Sequence, residues 1–339
     1  MKILTISIAA YNIERFLRAS LERLLCVRNI RKTEILIISD GSTDHTESIA
    51  EEYVKRYPDI VRLIAKSNGG WGSTVNTAIR IASGKYLKLL DGDDLYSSES
   101  LEEFIDFLEA FEADAVISPF RVFRDLDGKI LKPKTERGEF SFCGAFGPEN
   151  VSRLFSIHEI CVRTALLRSA DVHILEKCFY TDVEYVARAM CLVKTLRAFQ
   201  KPVYLYRTGV SGQSTSREGF VLHRNEHFRV IRVLNDLRGQ YEPSSHLYRL
   251  LTERLSRMIR KRCQILLTLE PGKTALRELV TFDRWLYDYC PDLYAGTTRA
   301  MRAVRATRFR AYPLIAKLVR IKMEVFREKG RHLRRLWYG

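Results

Sequence analysis

The stretch LLDGDDLYSS, residues 89–98, places three carboxylates within four positions directly after an apolar run. Asp91, Asp93 and Asp94 would repel one another unless a positive charge lies among them. Oxygens spaced D-x-D on a loop are ligands that hard cations such as Mg²⁺ or Mn²⁺ accept. The spacing therefore predicts a metal site that neutralises phosphate oxygens. The alternative is a solvated acidic loop at the start of the next helix, where negative charge is favourable.

A glycine-rich stretch, KSNGGWGSTVN at residues 66–76, opens another predicted helix. Gly69, Gly70 and Gly72 allow positive φ angles or a close approach of the backbone to a ligand. Free amides and the positive end of the helix dipole suit a phosphate group at this point. Because the pattern is neither the dinucleotide fingerprint nor the P-loop, it predicts either a phosphate site of another kind or an ordinary turn.

The elements that must position these residues alternate between strands and helices. The β-rich runs KILTISIA, EILIISD, VRLIAK and KYLKLL are separated by segments with apolar residues at helical spacing, the third of which Gly84 would end as a C-cap. This alternation predicts an α/β fold with a mostly parallel sheet. Tyr11, Asp40 and Asp91 each follow a predicted strand. We therefore expect them at the carboxyl edge of the sheet, where such proteins bind ligands.

The net charge of +15 is concentrated in the last third of the chain. Residues 240–339 contain 22 Lys/Arg and 9 Asp/Glu, whereas the first 239 residues carry a net charge of only +2. We predict a catalytic or globular front and a basic rear that meets an anionic partner. Seven cysteines without a C-x-x-C pair favour a reducing compartment, and no run approaches the ~20 apolar residues of a membrane span. MKILTISIAAYN is interpreted as a first strand rather than a signal peptide.

Three blocks of the front half resemble the nucleotide-binding half of a family 2 glycosyltransferase with the GT-A fold. They are SIAAYNIERFL, ILIISDGSTDHT and KSNGGWGSTVNTAIRIASGKYLKLLDGDD, in matching order and spacing over residues 1–95. FYTDVEY and VYLYRTGVSGQSTS extend the resemblance to about residue 216. It implies a Rossmann-like catalytic domain at 1–216. Residues 217–339 remain as a basic helical region for acceptor, membrane-surface or oligomer contacts.

The resemblance implies a site for a nucleoside-diphosphate sugar, with UDP as the expected nucleotide. Tyr11 and Asp40 would hold the base by stacking and hydrogen bonding, and Glu14 would support their loop. Ser42 and Asn68 would lie near the ribose or the phosphates. The other implied donor contacts are Ala9, Gly70, Asp91, Gly92 and Arg207.

The resemblance also implies a metal and a catalytic base. Asp93, helped by Asp91, would coordinate Mn²⁺ or Mg²⁺ on the diphosphate, which fits the charge that develops on the leaving group. Asp182 would take the proton of the acceptor hydroxyl in an inverting transfer. The residues alone offer another interpretation: Thr181 and Glu184 form a capping box, and Asp182 suits the helix dipole.

Some positions depart from the family pattern. The family usually has proline where Ala9 or Ala10 stands and arginine where Val75 stands, which leaves the details of donor contact open. The processive polysaccharide synthases of the family carry a Q-x-x-R-W motif and membrane spans. FDRW at 282–285 lacks the glutamine. The resemblance therefore favours a single-addition transferase over a polymer-extruding synthase.

Family members often close the donor site with a loop at this point, so the resemblance implies that YLYRTGVSGQSTS, residues 204–216, is a lid over the diphosphate. The alternative is a strand and a glycine-containing loop that lead to the rear region. Arg207 would position this lid or the phosphates. Some family members have a metal-binding histidine in the loop, and this sequence has Gln213 and Ser214 instead. Gln213 and His158 are the expected acceptor contacts, although a single histidine is more often a packing residue.

The rear third is predicted to be helical and strongly basic. Residues 299–339 contain 13 Lys/Arg and two glutamates. Leu314, Leu318, Ile321 and Val325 fall on one helical face among basic residues, which predicts a helix lying on an anionic membrane surface. The alternative is a packed accessory helix with a solvated basic face.

The resemblance thus implies hexosyl transfer to a hydroxyl of a cell-surface glycan or lipid-linked oligosaccharide. The protein would be cytoplasmic and peripheral on the inner face of the cell membrane, and a homo-oligomer stays open. A nucleic-acid-binding protein and a non-catalytic nucleotide-binding scaffold are the alternatives. The basic charge is terminal rather than interleaved with aromatic residues on one groove-sized face, so no nucleic-acid partner is expected. The aspartates at 40, 91, 93 and 182 argue against an idle scaffold.

Overall fold

The four β-rich runs of the front half form neighbouring parallel strands. The computed structural model describes residues 2–131, 139–209 and 216–328. By its contacts the chain divides into two units, Met1–Gln213 and Ser214–Gly339. The first unit combines sheets and flanking helices, and the described part of the second is helical. The predicted α/β class with a C-terminal helical region is confirmed.

The strands of the first unit lie in two sheets. They are β1 (Leu4–Ala10), β2 (Thr33–Asp40), β3 (Val61–Lys66), β4 (Tyr86–Asp91), β5 (Leu95–Tyr96), β6 (Ala115–Ile117), β7 (Phe120–Arg124), β8 (Ile130–Leu131), β9 (Ala145–Phe146), β10 (Ile160–Arg163), β11 (Leu196–Ala198) and β12 (Tyr204–Thr208). The larger sheet has the strand order β3-β2-β1-β4-β10-β6-β11-β9, and the smaller sheet has the order β5-β12-β7-β8. β10 runs antiparallel to both β4 and β6. The sheet is therefore mixed beyond its four parallel strands.

Helices connect and cover these strands. Those of the first unit are α1 (Glu14–Leu25), α2 (Thr46–Arg56), α3 (Trp71–Ile81), α4 (Ser98–Ala110), α5 (Thr164–Ser169) and α6 (Thr181–Leu192). α1 buries Leu17, Leu21 and Leu24, at the spacing of one helical face. Each leucine buried in this way stabilises the fold by about 1.5–3 kcal/mol.

The register of the parallel strands brings their carboxyl ends together. Ala9 of β1 lies opposite Asp91 of β4, and Asp40 of β2 lies opposite Lys66 of β3. The polar residues that follow these strands therefore start from one edge of the sheet, as the alternating pattern predicts.

Gly84 does not end α3, contrary to the prediction. The helix ends at Ile81, and Ala82 follows it in an extended conformation. Gly84 instead lies against β1, where a Cβ atom would meet the amide nitrogen of Thr5 at 2.4 Å. The glycine is needed for this close approach rather than for a left-handed cap.

The second unit consists of helices, which are α7 (Arg217–Leu222), α8 (Arg224–Arg238), α9 (His246–Thr268), α10 (Lys273–Tyr289), α11 (Pro291–Tyr294), α12 (Arg299–Ala306) and α13 (Tyr312–Glu328). Ser245 caps α9 by accepting the amide of Tyr248 at 3.2 Å, and Thr298 caps α12 through the amide of Met301. Within the described ranges, no helix is long and apolar enough to cross a membrane.

Candidate functional site

Asp40, at the end of β2, holds the glycine-rich turn between β3 and α3. Its carboxylate accepts hydrogen bonds from the amides of Gly69 and Gly70 at 2.9 and 2.7 Å and from Lys66 Nζ at 2.6 Å. Gly70 takes a φ of +81°, which favours glycine. Asn68 Nδ2 donates to the Asp40 carbonyl at 2.9 Å. The two amides that we considered for a phosphate are therefore bonded to this carboxylate instead.

The loops after β1 and β2 are joined by hydrogen bonds. Asn12 has a φ of +52°, and its Oδ1 accepts the amide of Thr43 at 2.8 Å. Ser42 Oγ accepts the amide of Asn12 at 3.2 Å, and Glu14 Oε2 accepts the amide of His45 at 2.9 Å. Tyr11 is 54% exposed beside this network. Glu14 and Ser42 thus fix the loop that carries an accessible aromatic ring.

The loop of Asp91, Asp93 and Asp94 is fastened to β12. Asp94 is fully buried, and its carboxylate accepts the Tyr204 hydroxyl and the Arg207 amide, each at 2.6 Å. Arg207 Nε donates to the Asp93 carbonyl. Gly92 permits the turn, because a Cβ atom there would meet the Ala9 carbonyl at 2.6 Å. The loop is therefore held rigidly, with Asp94 as its buried anchor.

Arg207 is a buried side chain, only 9% exposed, that ties several elements together. Besides the Asp93 carbonyl, its guanidinium contacts Asp125 at 2.7 Å. It lies over the rings of Phe16 and Phe123, 4.9 and 4.7 Å from their centroids. These contacts make Arg207 a support of the aspartate loop.

Asp91 accepts a hydrogen bond from Trp71 Nε1 at 2.8 Å, which links it to the start of α3. Burial, together with the negative charges of Asp93 and Asp182, raises the pKa of Asp91 to about 7. Burial, with the charges of Asp93 and Asp91, also raises the pKa of Asp94. The carboxylates of Asp91, Asp93, Asp94 and Asp182 therefore lie close together in one small region.

His158 faces this region from the segment before β10. Its Nε2 lies 4.0 Å from Asp91 Oδ2, and its ring packs against Phe120, Tyr204 and Tyr206. Burial, with the nearby Lys88 charge, lowers the pKa of His158 to about 3, so the imidazole is neutral. The buried Nδ1 has no hydrogen-bond partner among the described residues.

The donor set fits a divalent cation. One ligand atom each from Asp91, Asp94 and His158 lie within 4.8 Å of one another. Two carboxylate oxygens and a neutral imidazole nitrogen are ligands that Mn²⁺ accepts. The crowded negative charge supplies a physical reason for a cation to bind here.

Asp182 stands at the start of α6, after Tyr180, which has a φ of +66°. The predicted capping box is wrong: Glu184 accepts the amide of Leu175 at 3.1 Å and Arg188 Nε at 2.8 Å. Because Glu184 lies one residue too far into the helix, it reaches the preceding segment rather than the cap. Asp182 lies near enough to Asp91 to raise its pKa.

The segment before α6 is anchored to α3 by Asn76. Its Nδ2 donates to the Ile174 carbonyl at 2.9 Å, and its Oδ1 accepts the Ile174 amide at 2.8 Å. Gly72 allows this approach, because a Cβ atom would meet the Leu175 carbonyl at 2.1 Å. We did not predict these anchors or the role of Lys66. The glycine-rich motif at residues 66–76 contains Lys66, Gly72 and Asn76, so the motif itself was the sequence signal that could have indicated these contacts.

The first unit thus gathers Asp40, Asp91, Asp93, Asp94 and Asp182 with His158 around the ends of β2 and β4. Gln213 lies outside the described residues. Residues 5–174, half of the chain, match the family described as Glycosyl transferase family 2.

The chain belongs to this family. This glycosyltransferase is 29% identical to the "Uncharacterized glycosyltransferase MG025 homolog" of Mycoplasma pneumoniae over 220 residues, which are 62% of this chain and 70% of that protein. It is also 29% identical to the "Putative glycosyltransferase EpsH" of Bacillus subtilis over 60% of each protein. The "Minor teichoic acid biosynthesis protein GgaB" of Bacillus subtilis is 29% identical over 33% of this chain and 13% of its own length.

Solved structures share the fold of this glycosyltransferase. S. aureus TarS 1–349 in complex with UDP-GlcNAc superposes with a TM-score of 0.64 at 18% identity, covering 98% of this chain and 93% of that one. The mannosyltransferase PcManGT of Pyrobaculum calidifontis, in complex with GDP-Man and Mn²⁺, gives 0.53 at 16% identity, covering 94% and 86%. The predicted family and GT-A fold are confirmed.

Proposed function

We propose that this glycosyltransferase moves a hexose from a UDP-sugar to a hydroxyl of a cell-surface glycan or lipid-linked oligosaccharide, with inversion and a bound divalent cation. The observation that carries the proposal is the convergence of Asp91, Asp93, Asp94 and Asp182 with a neutral His158 at one sheet edge. The UDP-GlcNAc complex of TarS and the teichoic acid role in the name of GgaB support the donor and acceptor classes. In this proposal residues 1–216 carry the chemistry and 217–339 carry further contacts.

The nucleotide would bind across the loops after β1, β2 and β3. The exposed Tyr11 ring offers a stacking surface for the base. Asp40, Ser42 and Asn68 lie on the loops beside it, and the Glu14 contact with the His45 amide keeps those loops in place. Gly70 and Gly92 allow close approach of the backbone at this edge. Ala9 is a further proposed donor contact.

Asp91 and Asp93 would hold Mn²⁺ or Mg²⁺, with His158 as a neighbouring ligand. When bound, the cation supplies the positive charge that neutralises the departing diphosphate. Asp94 lies within the same group of possible ligands, but both of its oxygens already accept hydrogen bonds and its side chain is buried, so in this proposal it would act as the anchor of the loop instead. Arg207 would support the same loop through the Asp93 carbonyl, rather than bind a phosphate directly.

Asp182 would act as the base. Its carboxylate takes the proton of the acceptor hydroxyl while that oxygen attacks the anomeric carbon from the side opposite UDP. The bond between the sugar and UDP breaks as the new bond forms, so the configuration at that carbon inverts. Gln213 stays a predicted acceptor contact, whereas His158, predicted for the same role, is proposed here as a neighbour of the cation instead.

A transfer assay with paired variants tests this function. Purified protein is incubated with Mn²⁺, UDP-sugars and teichoic-acid or lipid-linked glycan acceptors, and released UDP and glycosylated product are measured. Asp182→Asn should bind UDP as wild type does and lose transfer by about 10²-fold or more. Asp59→Asn, an exposed aspartate away from the site, is the control. Unimpaired transfer by Asp182→Asn would remove the base from the proposal.

A further inference from the structure

The outer face of α13 carries an apolar stripe that the rest of the described structure leaves exposed. Leu314, Leu318 and Ile321 are 62%, 56% and 46% exposed. They stand at i, i+4 and i+7, so they form one continuous row along the helix. Tyr312 and Ala316 are buried on the opposite side. The helix is therefore packed through one face while the three-residue row, here called the α13 stripe, meets solvent.

Positive charge flanks the α13 stripe. Residues 293–323 contain eight Lys/Arg and no Asp or Glu. On a helix with 100° per residue, Lys317 and Lys322 fall on opposite sides of the stripe, and both are exposed. The exposed Arg308 and Arg310 precede the helix. These four residues, Lys317, Lys322, Arg308 and Arg310, are here called the basic border of the stripe.

Two other cations of the second unit are paired with acidic groups. Arg305 contacts Asp283 at 2.6 Å, and Arg320, on the side of α13 away from the stripe, contacts Glu270. Acidic groups of the unit thus balance the charges of these two arginines.

We propose that the α13 stripe binds the surface of an anionic bilayer, with its apolar side chains at the headgroup boundary and Lys317 and Lys322 on lipid phosphates. An apolar row bordered by lysines is the arrangement of helices that lie in a membrane interface. A second copy of the chain fits less well, because three side chains offer far less than the ~800 Å² per partner of a stable protein interface. Two copies would also bring basic borders together.

Vesicle flotation of the full chain tests this proposal, without donor or acceptor, so its failure leaves the proposed transfer untouched. Vesicles of phosphatidylcholine are compared with vesicles of equal parts phosphatidylcholine and phosphatidylglycerol. Wild type should float with the anionic vesicles. Leu314→Ser/Leu318→Ser should weaken that binding by about tenfold or more, because the variant loses most of the inserted apolar surface.

Two matched variants separate the apolar and electrostatic contributions. Leu222→Ser removes another leucine of the second unit, 71% exposed, and should bind as wild type does. Lys317→Gln/Lys322→Gln should weaken binding and its salt dependence, whereas Lys273→Gln/Arg277→Gln, which removes two exposed charges from α10, should change binding much less. Thermal unfolding checks that each variant is folded.

Three results would overturn the proposal. Equal binding of the stripe variant and the Leu222 variant would place the contact elsewhere. Dimers in solution that the stripe variant abolishes, without vesicle binding, would assign the surface to a second copy. Retention on DNA beads with no binding to anionic vesicles would assign the basic border to nucleic acid.

Discussion

At the scale of single residues, three neighbouring aspartates have three different surroundings. Asp91 accepts the Trp71 indole N–H at the end of β4, and Asp93 offers its carbonyl to Arg207. Asp94 is buried against Tyr204. Their D-x-D spacing predicted a cluster, but it did not distinguish a ligand from an anchor. That difference depends on β12, which follows more than 100 residues later in the chain.

Replacing the anchor should destabilise the first unit. Asp94→Ala leaves the Tyr204 hydroxyl and the Arg207 amide without their partner, and each buried unsatisfied group costs about 1–3 kcal/mol. We expect the free energy of unfolding to fall by roughly 3 kcal/mol in urea titrations. Asp127→Ala, on the half-exposed turn after β7, is the control. A loss no larger than that of the control would contradict the anchoring role.

Lys88 should make the free energy of unfolding depend on pH. It is fully buried in β4 and donates to the His158 carbonyl at 3.1 Å. Burial lowers its pKa from 10.5 to about 8. Between pH 8 and 10.5 the Lys88 side chain is more fully protonated in the unfolded chain than in the folded protein, so the free energy of unfolding rises with pH. Relative to Lys88→Met, wild type should gain on the order of 3 kcal/mol from pH 8 to 10.5.

Urea titrations between pH 8 and 10.5 measure this gain, and Lys55→Met, which replaces an exposed lysine of α2, is the comparison for Lys88. This variant should keep the pH slope of wild type, because an exposed lysine has similar surroundings in the folded and unfolded chain. Below pH 8 Lys88 is charged in both states, and the full cost of its burial is present. Identical slopes for wild type and Lys88→Met would show that Lys88 is not buried in its charged form.

At the scale of elements, α3 positions the start of α6. Asn76 makes two hydrogen bonds to Ile174, and Gly72 allows the contact. Asn76→Ala should loosen the segment that precedes Asp182. We expect kcat to fall about tenfold with UDP binding unchanged, because positioning affects the reacting geometry more than the nucleotide. Steady-state kinetics and UDP titrations measure the two effects.

Asn150→Ala serves as the matched control for Asn76, since Asn150 is exposed and its side chain donates to Gly147 and Glu149 of its own turn. It should leave both kcat and UDP binding as in wild type. A parallel loss of UDP binding and kcat in Asn76→Ala would show that Asn76 acts on the donor loop instead.

Much of the element order could be predicted, because local patterns determine it. The alternating apolar runs predicted β1 to β4 and the helices between them, and the basic amphipathic tail predicted α13. The smaller sheet and the antiparallel β10 depend on pairings between distant segments, such as Tyr204 with Tyr96. Gly84 and Glu184 were misassigned because local capping rules ignore a neighbouring strand or segment.

At the scale of the whole molecule, the second unit has its own buried ion pair. Asp283 contacts Arg305 at 2.6 Å and accepts the Tyr294 hydroxyl at 3.1 Å, linking α10, α11 and α12. Asp283→Ala should destabilise this unit by about 3 kcal/mol, because it leaves a buried arginine without its counter-charge. Hydrogen exchange should then speed up across these three helices.

Asp288→Ala, an exposed aspartate on the same helix, should leave the exchange rates of α10 to α12 unchanged. The double variant Asp283→Leu/Arg305→Met should recover much of the loss, since it removes both buried charges together. Faster exchange confined to the first unit in Asp283→Ala would contradict this assignment.

The central claim, a metal-assisted nucleotide-sugar site at the edge of the first sheet, is tested most directly by thermal unfolding with UDP and GDP, each with Mn²⁺ or with a chelator. A nucleotide at 100 times its Kd stabilises the folded state by about 2.7 kcal/mol. We expect UDP with Mn²⁺ to raise the midpoint most, and Asp93→Ala to lose the Mn²⁺-dependent part while Asp59→Ala keeps it. No shift with either nucleotide, in protein shown to be folded, would contradict the account.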